Sequence, residues 1–177
     1  MELDENWQKL DEALLGTDNY GGKMYIRVYA RLTGQNESAL TSTVQYQARS
    51  YFDKNWTMYD RQSNGSISGT GATTETFTKS SDYGGGETQL ATITGTVNHD
   101  PDTGTASIST SATLNFPNWG YSATATGTAT LPTIEVSTLR FGDSNQWKKA
   151  TPYLGVNGTW KKCKAYLGVN GTWKKGV

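Results

Sequence analysis

The chain has 177 residues, which is enough for one core domain with appended segments. Its formal net charge is zero, but residues 1–135 contain 8 basic and 15 acidic residues, whereas residues 136–177 contain 8 basic residues and 1 acidic residue. The start MELDENWQKL has neither the basic nor the apolar region of a signal peptide, and no apolar run of about 18 residues follows. We therefore expect neither a signal peptide nor a membrane span.

Few residues of this chain are suited to catalysis. His99 is the only histidine and Cys163 the only cysteine, so an internal disulfide framework is excluded. The sequence contains no G-x-S-x-G, HExxH, Walker A or dinucleotide-binding motif. Carboxylate-only chemistry of the glycosidase kind is the enzymatic alternative that remains open. We expect a protein that is not an enzyme and has no catalytic residues.

The first predicted element is a short amphipathic helix within residues 1–19. The sequence DENWQKLDEALLG places Trp7, Leu10, Ala13 and Leu14 on one helical stripe, with Asp4 as the N-cap and Gly16 as the stop. A helix of about twelve residues is marginal alone in water, so it must dock on something. We expect it either to pack on its own domain or to assemble with other chains through Trp7, Leu10 and Leu14.

The middle of the chain, residues 20–135, has the pattern of a β-sandwich. Apolar and small polar residues alternate there, and Gly, Asn, Asp and Ser separate the alternating stretches. The clearest stretches are MYIRVYARLT, STVQYQARSYF, TETFTKSS, TQLATITGTVNH, TASISTSATLNF and YSATATGTATL. Strands at WTMYD and GSISGT bring the number to seven or eight. The pattern predicts an all-β fold with an antiparallel sandwich of immunoglobulin-like or jelly-roll type.

Alternation within each stretch also suggests which side chains face the core. The candidates are Tyr25, Val28 or Tyr29, Val44, Tyr46, Phe77, Leu90, Ile93, Val97, Ile108, Leu114 and Phe116. A second group of aromatic residues lies near the predicted loops, where rings either bind a sugar or a protein partner or cap the ends of the sandwich. These are Trp56, Tyr59, Tyr83, Trp119 and Tyr121.

The stretch NHDPDTGT, residues 98–105, allows two interpretations. Asp100, Asp102 and Gly104 resemble the start of a calcium-binding loop, in which oxygen ligands at alternate positions hold the cation. No glutamate follows at the twelfth position, and Asp-Pro-Asp-Thr-Gly between two strands is also a favourable turn. The turn is favoured, and a Ca²⁺ ion held by Asp100 and Asp102 is the alternative. No other cofactor is expected.

Residues 136–177 contain three related segments with a period of 13 residues. YLGVNGTWKK begins at Tyr153 and again at Tyr166, and the degenerate copy RFGDSNQWKK begins at Arg140. Asn-Gly between strand formers predicts a β-hairpin with a type I′ turn, because both central residues of that turn need a positive φ. The expected pairs in the second copy are Val156–Thr159, Gly155–Trp160, Leu154–Lys161 and Tyr153–Lys162. Such repeats bury a face by stacking on neighbours or on another chain.

The aromatic and basic residues of the two full copies are the candidate binding residues. They are Tyr153, Trp160, Lys161, Lys162, Tyr166, Trp173, Lys174 and Lys175. One interpretation is that the rings stack on cell-wall carbohydrate and the lysines attract an anionic polymer such as a teichoic acid, or phospholipid headgroups, whereas no nucleic-acid-binding motif accompanies the charge. Two other interpretations stay open: the lysines keep exposed rings soluble, or the hairpins of several chains form an oligomerisation clamp.

The stretches ITGTVNHDPDTGTASISTSATLNF and SATATGTATLPTI combine a strand ending in Val-x-His, an Asp-rich turn with Gly-Thr, a strand of alternating Ser and a closing Leu-Pro-x-Ile. In this pattern residues 24–134 resemble a family of minor structural proteins from tailed siphophages of Gram-positive bacteria. The matching positions are His99, Asp102, Gly104, Thr105, Leu131, Pro132 and Ile134. The inserted Thr103 is one departure, and Glu135-Val136 replaces the Pro-Arg with which the family continues.

The flanking segments resemble phage proteins as well. ENWQKLDEALL is similar to the N-terminal segments of tail and head-fibre proteins, and the tryptophan-lysine hairpins are similar to repeats at the tips of Gram-positive phage tail proteins. The resemblance implies a virion component of tail or capsid that is assembled in the host cytoplasm. It also implies a homo-oligomer, with a trimer favoured, that contacts other virion proteins through the N-terminal helix. It implies no catalytic residue and identifies no receptor.

Overall fold

The computed structural model of the chain describes residues 1–17, 19, 21–53, 58–83, 85–136, 140–143, 146–149, 152–163, 166–169 and 172–175. These residues form fourteen β-strands and one turn of 3₁₀ helix, Pro117–Trp119. The strands are β1 Gln8–Thr17, β2 Lys23–Asn36, β3 Thr41–Phe52, β4 Met58–Gly69, β5 Glu75–Tyr83, β6 Gly86–Asn98, β7 Ser107–Phe116, β8 Tyr121–Thr130, β9 Arg140–Asp143, β10 Gln146–Lys149, β11 Tyr153–Val156, β12 Thr159–Lys162, β13 Tyr166–Val169 and β14 Thr172–Lys175. Within the described ranges, no helix has the length and apolar character needed to cross a membrane.

Eight of the strands form two four-stranded antiparallel sheets. The first sheet has the order β1-β2-β3-β6, and the second has the order β5-β4-β7-β8. The sheets pack face to face, because buried side chains from both belong to one apolar core. The largest fully buried side chains are Tyr46, Phe52, Phe116, Leu3, Met24, Ile26, Ile67, Leu114, Val28 and Val44. The prediction of an all-β fold with antiparallel sheets is confirmed.

The strands of the body follow the predicted stretches with one difference. Seven strands, β2 to β8, lie between Lys23 and Thr130. The sequences WTMYD and GSISGT were expected to form separate strands, but residues from both belong to the single strand β4. Trp56 and Thr57, at the start of WTMYD, lie outside the described residues.

Most of the expected core residues lie in the interior. The candidates in the core are Val28, Val44, Tyr46, Ile93, Val97, Ile108, Leu114 and Phe116, and the partly buried ones are Phe77 and Leu90. Tyr29, the alternative to Val28, is also buried, but it lies on the outer face of the first sheet, where its hydroxyl is bonded to Glu87. The prediction that Tyr25 faces the core is wrong. Its neighbours Met24 and Ile26 are buried, and side chains alternate along a strand. Tyr25 lies on the outer face of the first sheet, where its ring centroid is 6.1 Å from that of Tyr51.

The prediction of an N-terminal helix is wrong. Residues 8–17 form β1, which pairs antiparallel with β2. Ahead of β1, the amide of Leu3 donates a hydrogen bond of 2.9 Å to the carbonyl of Thr130 in the second sheet. The carbonyl of Asp4 accepts a bond of 2.8 Å from the amide of Leu32 in the first sheet. The N-terminal residues are thus bonded to both sheets.

Strand β1 contains two β-bulges, and the first of them explains part of the helical spacing in its sequence. The register between β1 and β2 shifts at Leu10 and again at Leu15, each of which is an extra residue in β1. As a result Leu10 and Ala13 both pack against the core although they are three residues apart. A spacing of three is typical of a helix, whereas an unbulged strand gives a spacing of two. The bulged strand therefore shares Leu10 and Ala13 with the helical stripe, but Leu14 is exposed and Leu15 is buried in its place.

Candidate functional site

The second C-terminal hairpin, β11 and β12, forms as expected. The strands pair antiparallel, and the four pairs are those derived from the Asn-Gly turn. At the turn Asn157 has a φ of 50° and Gly158 a φ of 76°, the positive values that a type I′ turn needs at both central positions. The amide of Cys163 donates a hydrogen bond of 2.9 Å to the carbonyl of Pro152, which extends the hairpin by one pair. The hairpin prediction is confirmed for this copy.

The indole of Trp160 covers the backbone of Gly155. A β-carbon placed on Gly155 would meet the indole Cζ3 at 3.5 Å and Cε3 at 3.7 Å, which is van der Waals distance. Trp160 is nevertheless 74 % exposed, so most of its ring surface remains open to solvent. Tyr153 lies on the same face, two residues from Gly155, and is 57 % exposed. This face, with Tyr153, Trp160 and position 162, is the aromatic face of the hairpin.

The opposite face of the hairpin is aliphatic. Successive side chains of a strand alternate between faces, so Leu154 and Val156 lie across the ladder from the aromatic face. They are 59 % and 36 % exposed. Lys161 is opposite Leu154, whereas Lys162 is opposite Tyr153, so the two consecutive lysines belong to different faces. The face formed by Leu154, Val156, Thr159 and Lys161 is the aliphatic face.

The other two copies repeat this backbone arrangement. In β13 and β14 Gly168 lies opposite Trp173, and in β9 and β10 Gly142 lies opposite Trp147. The candidate binding residues Tyr166, Trp173, Lys174 and Lys175 hold the register positions of Tyr153, Trp160, Lys161 and Lys162. The side chains of Lys162 and of these four later residues lie outside the described part of the chain.

His99 is buried and uses both ring nitrogens. Nδ1 lies 2.7 Å from the carbonyl oxygen of Gly104, and Nε2 lies 2.7 Å from Oγ of Ser42. A carbonyl can only accept, so Nδ1 donates to Gly104, and Nε2 shares the second hydrogen bond with the hydroxyl of Ser42. Ser42 Oγ also accepts from Gln35 Nε2 at 3.2 Å, and Gln35 Nε2 lies 2.9 Å from the carbonyl of Pro132. His99 is therefore a link between the β6–β7 turn and the first sheet.

Several residues that carry the family resemblance meet at this end of the sandwich. Gly104 has a φ of 70°, and its carbonyl accepts a hydrogen bond of 2.9 Å from the amide of Ile134. A β-carbon on Gly104 would lie 1.7 Å from the carbonyl oxygen of Ile134. The amide of Leu131 donates to the carbonyl of Ala106 at 3.0 Å. The Asp-x-Gly-Thr turn and the Leu-Pro-x-Ile segment thus form one joint, in which only glycine fits at position 104.

Asp100 organises the turn between β6 and β7. Its Oδ1 accepts the backbone amides of Asp102 and Thr103, both at 2.7 Å, and its carbonyl accepts the amide of Gly104 at 2.8 Å. These bonds are those of an Asx turn. Among the described residues, no group of three or more His, Cys, Asp and Glu side chains is arranged to hold a metal ion. The turn interpretation accounts for Asp100, and a Ca²⁺ ion at Asp100 and Asp102 stays a prediction.

A charged cluster on the outer face of the first sheet was not predicted. The carboxylate of Glu87 accepts hydrogen bonds from Arg27 Nη1 at 2.9 Å, from Arg49 Nη1 at 2.8 Å and from the hydroxyl of Tyr29. Arg27 Nε donates a further bond of 2.8 Å to Glu12 Oε2. These five residues, the Glu87 cluster, come from β1, β2, β3 and β6. The cluster therefore ties all four strands of the sheet together.

The charge states of Glu87 and Tyr29 and a cation–π contact of Arg27 both stabilise the Glu87 cluster. Burial acts to raise the pKa of Glu87, but hydrogen bonds from Tyr29, Arg49 and Arg27 outweigh burial and lower the pKa to about 2. Burial and the bond to Glu87 raise the pKa of Tyr29 to about 12. The guanidinium carbon of Arg27 lies 3.5 Å from the ring centroid of Tyr51, close enough for a cation–π interaction. At neutral pH the carboxylate is thus charged and the phenol neutral, as the bonds require.

The three residues proposed for N-terminal assembly do not share a face. The ring centroid of Trp7 lies 4.7 Å from the guanidinium carbon of Arg31. Leu10 packs against the core, and a β-carbon on Gly127 would lie 2.4 Å from its Cβ. Leu14 is 52 % exposed. The common stripe of Trp7, Leu10 and Leu14 is therefore wrong, because it required a helix, and an assembly role for these residues stays a prediction.

Two of the candidate loop aromatics cap the sandwich. Trp119 has its ring centroid 6.2 Å from that of Phe116 and 6.1 Å from that of Tyr121. Trp119 and Tyr121 are partly buried against the core, which confirms the capping interpretation for these two residues. Trp56 and the side chains of Tyr59 and Tyr83 lie outside the described residues.

The outer face of the second sheet is lined by hydroxyl groups. It contains two shallow depressions of about 310 and 410 Å³. The hydroxyl residues that line them are Ser68, Thr70, Thr74, Ser107, Ser109, Ser111, Thr126, Thr128 and Thr130. Such a surface forms hydrogen bonds but contributes neither an aromatic ring nor a charged side chain to a ligand.

No model of a protein family matches the chain, and no curated protein matches it. A function must therefore be argued from the geometry of the hairpins and from the resemblance of individual segments.

Proposed function

We propose that this chain is a non-enzymatic structural protein of a bacteriophage virion, a component of the tail or a fibre, and that its C-terminal hairpins adhere to the host cell surface. The observation that carries the proposal is the aromatic face of the second hairpin. Trp160 is 74 % exposed and Tyr153 57 % exposed, on strands held by an Asn-Gly turn and repeated along the chain. The three segments that resemble phage proteins support the virion setting.

The chemistry of the aromatic face favours an anionic carbohydrate polymer as ligand. An exposed indole stacks on the apolar face of a sugar ring, and the nearby phenol adds a second ring with a hydrogen-bonding hydroxyl. Residues 136–177 contain 8 basic residues and 1 acidic residue, which attracts phosphate or carboxylate groups along the polymer. A teichoic acid of a Gram-positive wall combines sugars with phosphates and fits both requirements.

Repetition of the hairpin raises the avidity with which this surface binds a polymer. One exposed face with two rings makes a weak site, since it encloses its ligand on one side only. Several such faces on one chain, multiplied by the copies in an oligomer, bind a repeating polymer with a high effective concentration. Avidity of this kind accounts for the repetition of one decapeptide at the end of the chain.

The sandwich serves in this proposal as the body that holds the hairpins away from the particle. Its type, immunoglobulin-like or jelly-roll, stays a prediction, as do the trimeric state and the contacts with other virion proteins. Leu14, which is 52 % exposed on β1, is a candidate for such a contact. A location on the capsid as a head fibre is compatible with the same roles.

Substitution of the two indoles tests the adhesive role. The double variant Trp160→Ala and Trp173→Ala should lose binding to host cells, while its sandwich keeps the wild-type unfolding transition. The matched control is Trp160→Phe and Trp173→Phe, which keeps a ring on each aromatic face and should keep most of the binding. Equal binding by the alanine variant and the wild type would contradict the proposal.

A purely architectural role is the second candidate function. The exposed surface of Trp160 is large enough for another chain to bury, so that hairpins of several chains could form an oligomerisation clamp without touching a receptor. Deleting residues 137–177 separates the two roles. A clamp predicts that the shortened chain loses its oligomeric state, whereas an adhesive tip predicts that it loses binding to cells and keeps its oligomeric state if the body assembles.

A further inference from the structure

The exposed Asn-Gly turn of the second hairpin places two groups that react with each other side by side. A glycine has no side chain to shield its backbone nitrogen, so this nitrogen can attack the side-chain carbonyl carbon of the preceding asparagine. Asn157 and Gly158 are both exposed, and among the described residues no atom lies within 4 Å of a β-carbon placed on Gly158. The ladder pair next to the turn is Val156–Thr159, so the amide of Gly158 lies outside the ladder. The attacking nitrogen is therefore open to solvent.

The attack requires the turn to open, and opening costs little in this hairpin. The described backbone bonds that hold it belong to its four ladder pairs and to the pair of Cys163 with Pro152. A two-stranded hairpin is only marginally stable alone, and the ring of Trp160 is 74 % exposed rather than packed on the hairpin. Segments with few buried contacts open locally far more often than the whole protein unfolds. Asn157 should therefore reach the reactive geometry often.

The chain contains the same dipeptide in a rigid setting, at Asn64-Gly65 in β4. This strand lies inside the second sheet, and both residues pair with β5 on one side and with β7 on the other. The side-chain oxygen of Asn64 also accepts a hydrogen bond of 3.2 Å from Asn115 Nδ2. Asn64 is exposed, as Asn157 is, so exposure does not distinguish the two sites. What distinguishes them is that the sheet must open before the nitrogen of Gly65 can attack.

We propose that Asn157 is a site of spontaneous deamidation, that its repeat Asn170 is a second such site, and that Asn64 is protected by the sheet. The nitrogen of Gly158 forms a bond to Cγ of Asn157, and the displaced amide nitrogen leaves with the proton of Gly158 as ammonia. The product is a five-membered succinimide. Water then adds to one of its two carbonyl carbons and opens the ring to aspartate or to isoaspartate. Asn170 and Gly171 lie outside the described residues, so their assignment follows from the repeated sequence.

Both products weaken the hairpins as a binding surface for an anionic polymer, a consequence that rests on the function proposed above. Residues 136–177 contain 8 basic residues and 1 acidic residue, a net charge of +7, and carboxylates at positions 157 and 170 reduce it to +5. Isoaspartate also leads the backbone through the former side chain, which adds one atom to a two-residue turn. The register that places Trp160 over Gly155 is then lost. Deamidation thus limits the lifetime of the aromatic face.

Peptide mapping by mass spectrometry, after incubation of the full chain at mildly alkaline pH, tests the site. Trypsin cleaves after Arg61, Lys149 and Lys164, which places the three Asn-Gly pairs of the chain on separate peptides. Aspartate and isoaspartate should accumulate at positions 157 and 170 at least about tenfold faster than at position 64, because β4 opens far less often than the hairpin. In denaturant the three sites should react at similar rates, since only the fold protects Asn64.

Two results would overturn the proposed site. One is that Asn64 of the folded chain reacts as fast as Asn157. The other is that Asn157 stays intact in the folded chain and reacts only in denaturant, because the turn would then protect it. The matched control is Asn157→Gly with Asn170→Gly, which cannot form the ring and keeps a type I′ turn. Amide hydrogen exchange in β11 and β12 should become faster with age in the wild type and not in this variant.

Binding to immobilised teichoic acid separates the modification from the function on which its consequence rests. The aged wild type should bind less than the fresh wild type, whereas the glycine variant should bind equally before and after incubation. Equal binding by fresh and aged wild type, with deamidation found in the peptide map, would overturn the effect on adhesion. A fresh wild type that does not bind would refute the adhesive function as well, while the peptide map alone decides whether Asn157 is modified.

Discussion

The carbonyl oxygen of Ile134 occupies the space in which Gly104 would carry a side chain, only 1.7 Å from the position of a β-carbon. Gly104 also has a φ of 70°. Gly104→Ala therefore combines a left-handed backbone with a steric clash, and we expect it to lower the free energy of unfolding by about 2–4 kcal/mol. Gly120→Ala is the control, because Gly120 has a φ of 68° with no atom within 4 Å of its β-carbon position. Denaturant titration should show a cost of about 1 kcal/mol for the control, and equal costs would contradict the account of the joint.

The second prediction concerns the contribution of His99 to stability. In His99→Ala the carbonyl of Gly104 and the hydroxyl of Ser42 each lose one of two hydrogen-bond partners, and a buried ring is removed, which together should lower the free energy of unfolding by about 2–4 kcal/mol. Ser42→Ala removes one of the two bonds and should cost about half as much. Both costs come from equilibrium unfolding in denaturant. A neutral His99→Ala variant would show that the histidine does not stabilise the joint.

The Glu87 cluster predicts a dependence of stability on pH. The pKa of Glu87 is lowered from 4.5 to about 2 in the folded chain, so its contribution is fully present above pH 4.5 and is lost as the pH falls through about 2. Glu87→Gln should cost roughly 1–2 kcal/mol at neutral pH, a range that allows for solvent screening. The difference from the wild type should vanish towards pH 2. Glu75→Gln on β5 is the control for charge alone, and a difference that is the same at every pH would refute this role for Glu87.

The turn of the second hairpin gives a prediction about local stability. Gly158 has a φ of 76°, so Gly158→Val forces a branched side chain into a left-handed conformation and should open the hairpin. Gly155→Ala is the matched change on the strand, where the new β-carbon meets Trp160 at an ordinary contact distance of 3.5 Å. Amide hydrogen exchange should become faster in β11 and β12 for the first variant only. Exchange in the sandwich should be the same in both, and a change there would mean that hairpin and body are coupled.

Local signals in the sequence predicted the hairpins well. An Asn-Gly turn sets its own register, because the two residues that need a positive φ fix every pair that follows, and Gly155 opposite Trp160 was correct for that reason. The order of strands in the two sheets had no such signal. It depends on pairings between distant segments, such as β3 with β6, which no periodicity reveals.

The errors have identifiable physical causes. The bulge at Leu10 gives Leu10 and Ala13 the three-residue spacing of a helix, so the sequence pattern predicts the wrong class for the first element. The sequence does not show which face of β2 Tyr25 occupies, because tyrosine and isoleucine both fit a half-buried strand. In the structure Met24 and Ile26 are buried, so Tyr25 between them faces outward. The Glu87 cluster was missed because Arg27 and Glu87 are 60 residues apart. Arg27 and Arg31, which are four residues apart and so share one face of β2, are the signal that indicates a charged outer face.

Labelling of intact particles tests the central claim most directly. On the proposal that the chain belongs to a phage particle, a Fab fragment against YLGVNGTWKK would be added to purified particles of the phage in question, followed by electron microscopy and an adsorption assay on its host cells. The account predicts that the Fab labels the surface of the particle and blocks adsorption, while a control Fab against the sandwich labels without blocking. Absence of the chain from the particles, or full adsorption with the hairpins occupied, would contradict it.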